Sequence, residues 1–257
     1  MHKPYFIVFL LGFWLASVAN AGVRVVSDID DTAKVTNVSS TFPMLYNGLF
    51  SNRPFTGMRE LYASMSIERG YAFEYVTGAP GIIKFRAKDF LRDGGFPEGE
   101  LHTKGTLKGE SIREYKVRVL REILAAHPDD QLLLVGDDTQ ADFDVYDDIF
   151  RYAPDRILAI YIRKVTNRKL PPSAYPFLTA FDIARTEFLM GRLTVEQAAP
   201  VALAILSERR MNRVVPKFSY CPIGAYFTME AHIEKWNQDI DARVQKICRA
   251  RRLPSES

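Results

Sequence analysis

Short, almost entirely apolar segments alternate with amphipathic helical segments through much of this chain. The apolar segments lie at 23–26, 71–76, 131–135 and 156–162, and a weaker one lies at 99–103. Apolar runs without a polar face are typical of strands that are buried on both sides of a sheet. The alternation predicts an α/β fold in which helices cover both faces of a doubly wound, mostly parallel sheet.

Polar side chains follow three of these predicted strands. Asp28 and Asp30 follow the strand predicted at 23–26, Thr77 follows the one at 71–76, and Asp137 with Asp138 follows the one at 131–135. Ligands of parallel sheets bind at the carboxyl ends of the strands. We therefore expect these groups to meet in one crevice, although they lie far apart in the sequence.

The spacing of Asp28 and Asp30 predicts a pair of carboxylates in one pocket. Side chains two positions apart share a face of an extended chain, so Asp31 is expected to point away. Two close carboxylates repel each other, and this repulsion raises the proton affinity of one of them unless a cation intervenes. An ionised nucleophile beside a protonated acid suits phosphoryl transfer.

The N-terminus has the pattern of a secretory signal peptide. An apolar run at 5–18 precedes Ala19-Asn20-Ala21, which is a small-x-small cleavage pattern. The run is shorter than the ~20 residues that a bilayer-spanning helix needs. We therefore expect residues 1–21 to be removed and the mature protein to be exported to the periplasm or secreted.

The charge and cysteine content limit the partners of the chain. With 34 basic and 31 acidic side chains, the chain is too nearly neutral to indicate a nucleic-acid-binding protein. Basic side chains near 209–217 and 246–252 fit either solvated helix ends or peripheral membrane contact. In an oxidising compartment Cys221 and Cys248, the two cysteines, are expected to form an intramolecular disulfide, and two separate buried thiols are the alternative.

Residues beyond 165 show mainly helical patterns. Helices are predicted near 177–189, 194–206 and 229–247, and the last has an apolar stripe at three- and four-residue steps. The domain organisation predicted is a signal peptide at 1–21, a catalytic core at 22–165, and a helical extension at 166–257 that packs on the core.

Four ordered motifs resemble those of the haloacid dehalogenase superfamily. They are Asp28-x-Asp30-x-Thr32, Thr77, Lys116, and Gly136-Asp137 with Asp142. The resemblance implies a Rossmann-like phosphatase fold. Nucleophile-elbow, zinc-protease and Walker motifs are absent from the sequence, which argues against serine hydrolases, HExxH zinc proteases and P-loop enzymes.

Further segments are similar to one branch of that superfamily, the phosphatidate phosphatase catalytic domain named after an actin-patch protein. The segments are SDIDDTAKVTNV, GMRELY, FEYVTGAP, GFPEGEL, VGDD, VYDDI and IYIR, and the similarity covers about residues 23–165. Three positions depart from the usual pattern. Ala33 replaces a larger apolar residue, TGAP replaces a Ser-Asn-Ser-Pro type of loop, and Asp138 replaces a serine.

This resemblance implies the catalytic roles. Asp28 is expected to attack phosphorus and form a phosphoaspartate, while Asp30 protonates the leaving alkoxide and later takes a proton from water. Lys116 is expected to offset negative charge in the transition state. A solvated helical lysine is the simpler interpretation of Lys116 taken alone.

The resemblance also implies how substrate is bound. The Thr77 hydroxyl and the Gly78 amide are expected to hold phosphate oxygens, and Thr32 to fix the loop that carries the aspartates. The intervals 33–56 and 105–110 are short, which predicts a small cap or none and an open crevice for a phosphorylated lipid or another bulky phosphomonoester. A nonspecific acid phosphatase and a non-catalytic lipid-phosphate-binding module are the alternatives.

A magnesium site is the last implication of the resemblance. Carboxylates and a phosphate dianion repel, so the site needs a hard divalent cation with oxygen ligands. Asp28, the backbone carbonyl of Asp30, and Asp137 are expected to hold Mg²⁺, and Asp138 and Asp142 to complete its surroundings. The clustered aspartates do not follow the spacing of a calcium-binding EF-hand loop.

Overall fold

The computed structural model describes residues 22–35, 53–105, 109–139, 141–166, 168–217, 221 and 231–253. Within these ranges six parallel strands form one sheet in the order β3-β2-β1-β4-β5-β6. The strands are β1 (Val23–Ser27), β2 (Ala72–Pro80), β3 (Glu100–Lys104), β4 (Gln131–Asp137), β5 (Ile157–Arg163) and β6 (Ala174–Phe177). The predicted doubly wound, parallel sheet with helices on both faces is confirmed.

The three helices predicted beyond residue 165 lie close to their predicted positions, and further helices lie between the strands. The helices are α1 (Met58–Ala63), α2 (Lys84–Asp93), α3 (Ile112–Ala126), α4 (Asp142–Tyr152), α5 (Ala180–Leu189), α6 (Val195–Ser207), α7 (Met211–Val214) and α8 (Ala231–Arg251). A π-helical turn at Ser64–Glu68 continues α1, and Gly70 ends it with a φ of 69°. A 3₁₀ turn at Gly81–Ile83 leads into α2.

Two hydrophobic clusters cover the two faces of the sheet. On one face Val26 of β1 and Leu134 of β4 pack with side chains of α3 and α4. On the other face Val25 and Val135 pack with side chains of α1, α2, α5, α6 and α8. Because consecutive side chains of a strand point to opposite faces, the continuous apolar runs supply both clusters.

The C-terminal helix α8 packs on the sheet domain, as its apolar stripe predicts. Ile233, Ile240, Val244 and Ile247 are buried in the same cluster as Val25. Cys248 in α8 is bonded to Cys221, with their Cα atoms 5.5 Å apart, so the predicted disulfide is present.

The strand β6 was not predicted in the segment beyond residue 165, where the sequence pattern is mainly helical. Its sequence Ala174-Tyr-Pro-Phe is short, only Phe177 is buried, and Pro176 cannot donate a ladder hydrogen bond, so the strand pattern is weak. It pairs with β5 at the edge of the sheet. The division at residue 165 stays a prediction, and β6 lies beyond it.

Two predictions lie wholly or mostly outside the described residues. These are the signal peptide at 1–21 and most of the interval 33–56, where a small cap was expected. None of the helices that the structure describes has the length and apolar character needed to cross a bilayer.

Candidate active site

Asp28 lies between β1 and β4, where the strand order reverses. Its amide donates a hydrogen bond to the carbonyl oxygen of Val135 in β4 at 2.9 Å. The Ser27 hydroxyl donates to the Asp28 carbonyl oxygen at 2.7 Å and lies 2.7 Å from the Tyr62 hydroxyl. These contacts hold the backbone of Asp28 at the switch point, which is the usual place for a ligand in such sheets.

Lys116 approaches Asp28 from the covering helix α3. A capping box of Ser111 and Glu114 starts this helix and places Lys116 in its first turns. The Lys116 ammonium donates to Asp28 Oδ1 at 2.7 Å and also pairs with Asp142. Lys116 is 2% exposed, so the interpretation of a solvated surface lysine is wrong.

Three buried carboxylates meet around Asp28. Oxygen atoms of Asp28, Asp137 and Asp142 lie within 4.8 Å of one another and form a group that could hold a metal ion. Asp137 ends β4 and Asp142 begins α4, so the sheet and one helix supply all three. Asp142, expected only in the surroundings of the ion, is thus part of the carboxylate group itself.

One oxygen of this group has no hydrogen-bond donor. Asp142 Oδ2 is buried and accepts no hydrogen bond from the described residues. A buried polar atom without a partner is costly, and a bound ion or water is the usual explanation. A second group that could hold a metal ion, Glu74, Glu100 and His102, differs because both Glu74 oxygens are engaged, one by Arg24 and one by His102, at 2.8 Å.

Gly136 permits the close approach of α4 to the end of β4. A Cβ atom at this position would lie 2.7 Å from the Asp142 Cβ and 2.8 Å from Tyr146 Cε2. Real Cβ atoms do not come so close to other heavy atoms. The absence of a side chain at Gly136 therefore allows Asp142 to reach Asp28 and Asp137.

Burial makes these carboxylates hard to ionise without a cation. Burial and the Asp142 charge raise the pKa of Asp28, while Lys116 lowers it in part. Burial and Asp142 raise the pKa of Asp137 to about 8. Burial pulls the pKa of Lys116 down, but Asp142 and Asp28 outweigh it and the net pKa is above its ordinary value. Lys116 therefore stays charged beside these carboxyl groups.

Asp30 lies on the β2 side of Asp28 and pairs with Thr77. The Thr77 hydroxyl donates to Asp30 Oδ2 at 3.1 Å and accepts a hydrogen bond from the Ala79 amide at 3.1 Å. Burial raises the pKa of Asp30, and Lys34 and the Thr77 hydrogen bond offset part of this effect. Asp30 therefore holds a proton more readily than an exposed aspartate, as a general acid must.

Thr32 and Arg163 fix the loop that carries the two aspartates. The Thr32 hydroxyl donates to Asp137 Oδ2 at 3.4 Å, and its carbonyl accepts a hydrogen bond from Arg163 Nη2 at 2.8 Å. The Arg163 guanidinium lies between the rings of Phe55 and Phe177, 4.1 and 4.5 Å from their centroids. Burial lowers the pKa of Arg163 to about 10.

Asp31 does not follow the extended geometry assumed from the sequence. Its φ of 53° turns the chain back, and the residue is buried. Its charge raises the pKa of Asp137. It also raises the pKa of Arg163, which offsets part of the lowering caused by burial. Asp31 therefore belongs to the buried charge network although it was expected to point away.

Lys34 and Arg163 were missed in the sequence. Lys34 is 3% exposed, forms a backbone bridge with Asp30, and places its ammonium 5.6 Å from the centre of the Phe90 ring. Its charge counteracts the raised pKa of Asp30. The available signal was the position of Lys34 between Ala33 and Val35, two apolar residues, in the loop after β1.

Asp138 and Gly78 are placed differently from the central group. Asp138 Oδ1 accepts hydrogen bonds from the Val165 and Thr166 amides at 2.8 and 2.9 Å, and Oδ2 pairs with Lys164 at 3.1 Å. The structure therefore does not bring Asp138 into the group of Asp28, where a role in the metal surroundings was expected. Gly78 lies where the register of β2 with β3 shifts, beside Thr77.

Comparison with known proteins places this site in a family. One relative is phosphatidate phosphatase APP1 of Saccharomyces cerevisiae, 27% identical over 161 residues, which are 58% of this chain and 27% of the relative. The chain thus spans about a quarter of the length of this curated relative. A class C acid phosphatase structure from Bacillus anthracis covers 77% of this chain and 84% of its own, with 11% identity and a TM-score of 0.39.

The chain also matches a protein family. The family described as phosphatidate phosphatase APP1, catalytic domain, matches residues 23–164, which is more than half of the chain. The matched range includes Asp28, Asp30, Lys116, Asp137 and Asp142. The chain therefore belongs to the phosphatidate phosphatase APP1 catalytic-domain family.

Proposed function

We propose that this protein is a magnesium-dependent phosphomonoester hydrolase that acts on phosphatidate-like lipids through a phosphoaspartate at Asp28. The observation that carries the proposal is the separation of two acidic groups. Asp28 lies in a carboxylate group with Lys116, while Asp30 lies apart from that group beside Thr77. Burial raises the pKa of both carboxyls, but Asp28 is hydrogen-bonded to the Lys116 ammonium and lies among the candidate metal ligands, so a bound cation would favour its ionised form and leave Asp30 to carry the proton.

In the first half-reaction Asp28 attacks the phosphorus atom. An oxygen–phosphorus bond forms at Asp28 while the bond from phosphorus to the lipid oxygen breaks, and Asp30 gives its proton to the leaving alkoxide. Lys116 offsets negative charge as it builds on the phosphoryl oxygens. Thr77 and the amide of Gly78 hold those oxygens in the open crevice.

In the second half-reaction water attacks the phosphoaspartate. Asp30, now ionised, takes a proton from the water, the Asp28–phosphorus bond breaks, and inorganic phosphate leaves. Each proton transfer of this kind contributes roughly 10²- to 10⁴-fold in rate. Thr32 and Arg163 act on the chemistry only through the position of the loop.

The carboxylate group fits a magnesium ion. Hard oxygen ligands suit Mg²⁺, and the Asp142 oxygen that lacks a donor supplies an unused ligand atom. Asp28, Asp137 and the backbone carbonyl of Asp30 would hold the ion, with Asp142 beside them and Asp138 outside this group. When bound, Mg²⁺ supplies positive charge that offsets the repulsion between carboxylates and phosphate.

We further propose export through a signal peptide at residues 1–21. The disulfide between Cys221 and Cys248 supports an oxidising compartment. We also propose that residues 22–165 form the catalytic core and residues 166–257 the extension. The strand β6 is the part of the extension that joins the sheet.

The test is phosphate release from phosphatidate in detergent micelles, with Mg²⁺ and with a chelator. We expect activity only with the metal, and its loss in Asp28→Asn and Asp30→Asn. Asp144→Asn is the matched control, because the Asp144 side chain is 47% exposed and pairs with Arg168. Equal or higher activity on p-nitrophenyl phosphate would favour a nonspecific acid phosphatase, and phosphate binding without turnover would favour a binding module.

A further inference from the structure

The turn that follows β2 exposes two large apolar side chains. Ile82 is 83% exposed and Phe85 is 57% exposed. They lie in the 3₁₀ turn Gly81–Ile83 and the first turn of α2, three positions apart, so both side chains lie on the same side of this segment. Scattered exposed apolar side chains are common, whereas a neighbouring pair on one turn indicates a binding surface more strongly.

Basic side chains surround this pair. Lys84, Arg86 and Lys88 lie in the same segment, and no acidic residue occurs from Thr77 to Lys88. The Arg86 guanidinium lies 5.6 Å from the centre of the Phe85 ring. On the neighbouring strand Lys104 is in register with Pro80, which adds another positive charge near the turn. The segment therefore combines apolar groups with a local excess of positive charge, which is complementary to an anionic lipid surface.

The inner side of the same turn lines the candidate active site. Ile83 and Arg86 share a small cavity with Asp30, Lys34 and Thr77. Ile82 and Phe85 are exposed on the outer side. The apolar pair thus lies at the rim of the crevice in which the lipid phosphate is expected to react.

We propose that Ile82 and Phe85, with Lys84 and Lys88, form a surface that docks this protein on bilayers containing anionic lipids. This surface is called the Ile82–Lys88 patch below. The inference rests on the proposed function, because the bilayer that the patch contacts would also contain the phosphatidate-like substrate. The apolar side chains enter the headgroup region, the basic side chains contact anionic headgroups, and the mouth of the crevice next to Asp30 faces the lipid surface.

Vesicle flotation of the purified full chain tests the patch without relying on catalysis. Vesicles of phosphatidylcholine alone, phosphatidylcholine with phosphatidylglycerol, and phosphatidylcholine with phosphatidate separate surface charge from substrate recognition. We expect binding to both anionic vesicles, and a loss of about tenfold or more in the double variant Ile82→Ser/Phe85→Ser. Ile67→Ser is the matched control, because Ile67 is 82% exposed on the turn that precedes β2.

The charge component has its own variant. Lys84→Glu/Lys88→Glu is expected to abolish binding to the phosphatidylglycerol vesicles, while Lys235→Glu on the exposed side of α8 leaves it unchanged. Binding that survives both patch variants but disappears in Arg209→Glu/Arg210→Glu would assign docking to the basic segment after α6 and overturn the proposal. The proposal would also be overturned if the Ile82→Ser/Phe85→Ser protein still bound vesicles and lost only its self-association, measured by sedimentation.

Activity measurements separate this proposal from the proposed function. The Ile82→Ser/Phe85→Ser protein is expected to keep its kcat on p-nitrophenyl phosphate and to lose hydrolysis of phosphatidate presented in vesicles. Patch-dependent flotation of a protein without phosphatase activity would support docking and contradict the proposed function. Full activity on vesicles in the patch variant would contradict docking alone.

Discussion

The ammonium group of Lys116 lies 2.7 Å from Asp28 Oδ1, across 88 positions of sequence, and both side chains are almost fully buried. The same ammonium pairs with Asp142. Lys116 is therefore the positive charge between two members of the carboxylate group. This arrangement predicts that the lysine matters for both catalysis and stability.

Lys116→Met is expected to lower kcat by about 10²- to 10³-fold, because the transition state loses a preorganised positive charge. The metal-free variant is also expected to lose roughly 3–5 kcal/mol of unfolding free energy, since buried Asp28 and Asp142 lose their partner. Phosphate-release kinetics and denaturant unfolding measure the two effects. Lys235→Met, on the surface of α8, is the control, and an equal loss in both variants would contradict a special role of Lys116.

Asp142→Asn tests whether the unpaired carboxylate oxygen contributes to metal binding. We expect the variant to need about 10- to 100-fold more Mg²⁺ for half-maximal activity, because an amide is a weaker ligand and partner than a carboxylate. Magnesium titrations of activity and of thermal unfolding provide the measurement. Asp144→Asn, two residues along the same helix, should behave like the unchanged protein. Unaltered magnesium dependence in Asp142→Asn would remove Asp142 from the metal surroundings.

The raised pKa values predict how pH affects the metal-free protein. The folded-state pKa of Asp137, about 8, lies above the ordinary value of 3.8, so its stabilising effect is complete at low pH and is lost as pH rises towards 8. Asp28 shifts in the same direction. In a chelator the Tm should therefore fall between about pH 4 and about pH 8, and the gain in Tm from Mg²⁺ should increase over that range. Asp137→Asn should flatten the dependence, and a Tm that rises with pH in the chelator would contradict this explanation.

Gly136→Ala is expected to move Asp142 away from Asp28. The added Cβ would lie 2.7 Å from the Asp142 Cβ, so α4 must shift, at about 1–3 kcal/mol of stability. Magnesium affinity and kcat should fall together with the Tm. Gly105→Ala provides the comparison, because the added Cβ there meets no heavy atom within 4 Å. A Gly136→Ala protein with normal Tm and activity would show that α4 adapts without loss.

Much of the fold was predictable from local patterns. The strands β1, β2, β4 and β5 lie within a few residues of the apolar runs, and the helices start at recognisable caps such as Ser111 with Glu114. The reason is that side-chain periodicity and capping act between near neighbours. The strand β6 was missed because its short, Pro-containing sequence is held mainly by pairing with β5.

Part of the site was also predictable. Asp28, Asp30, Thr77, Lys116 and Asp137 all lie at the carboxyl edge of the sheet, as the motif order and the parallel fold imply. Lys34 and Arg163 were not predicted, because a single basic residue in a sequence normally lies at the surface. Their burial depends on Phe90 in one case and on Phe55 with Phe177 in the other, which no local pattern connects to them.

The amino-acid sequence alone determined the strands, most helix ends and the residue types available for chemistry, because these depend on local periodicity and on ordered motifs. The packing of distant segments decided which carboxylates share a site. Asp142 lies in the group of Asp28 because the absence of a side chain at Gly136 allows the close approach of α4. Asp138, one residue after Asp137, instead accepts hydrogen bonds from the amides of Val165 and Thr166. Such partnerships depend on strand order and on distances between buried side chains, which only the folded chain establishes.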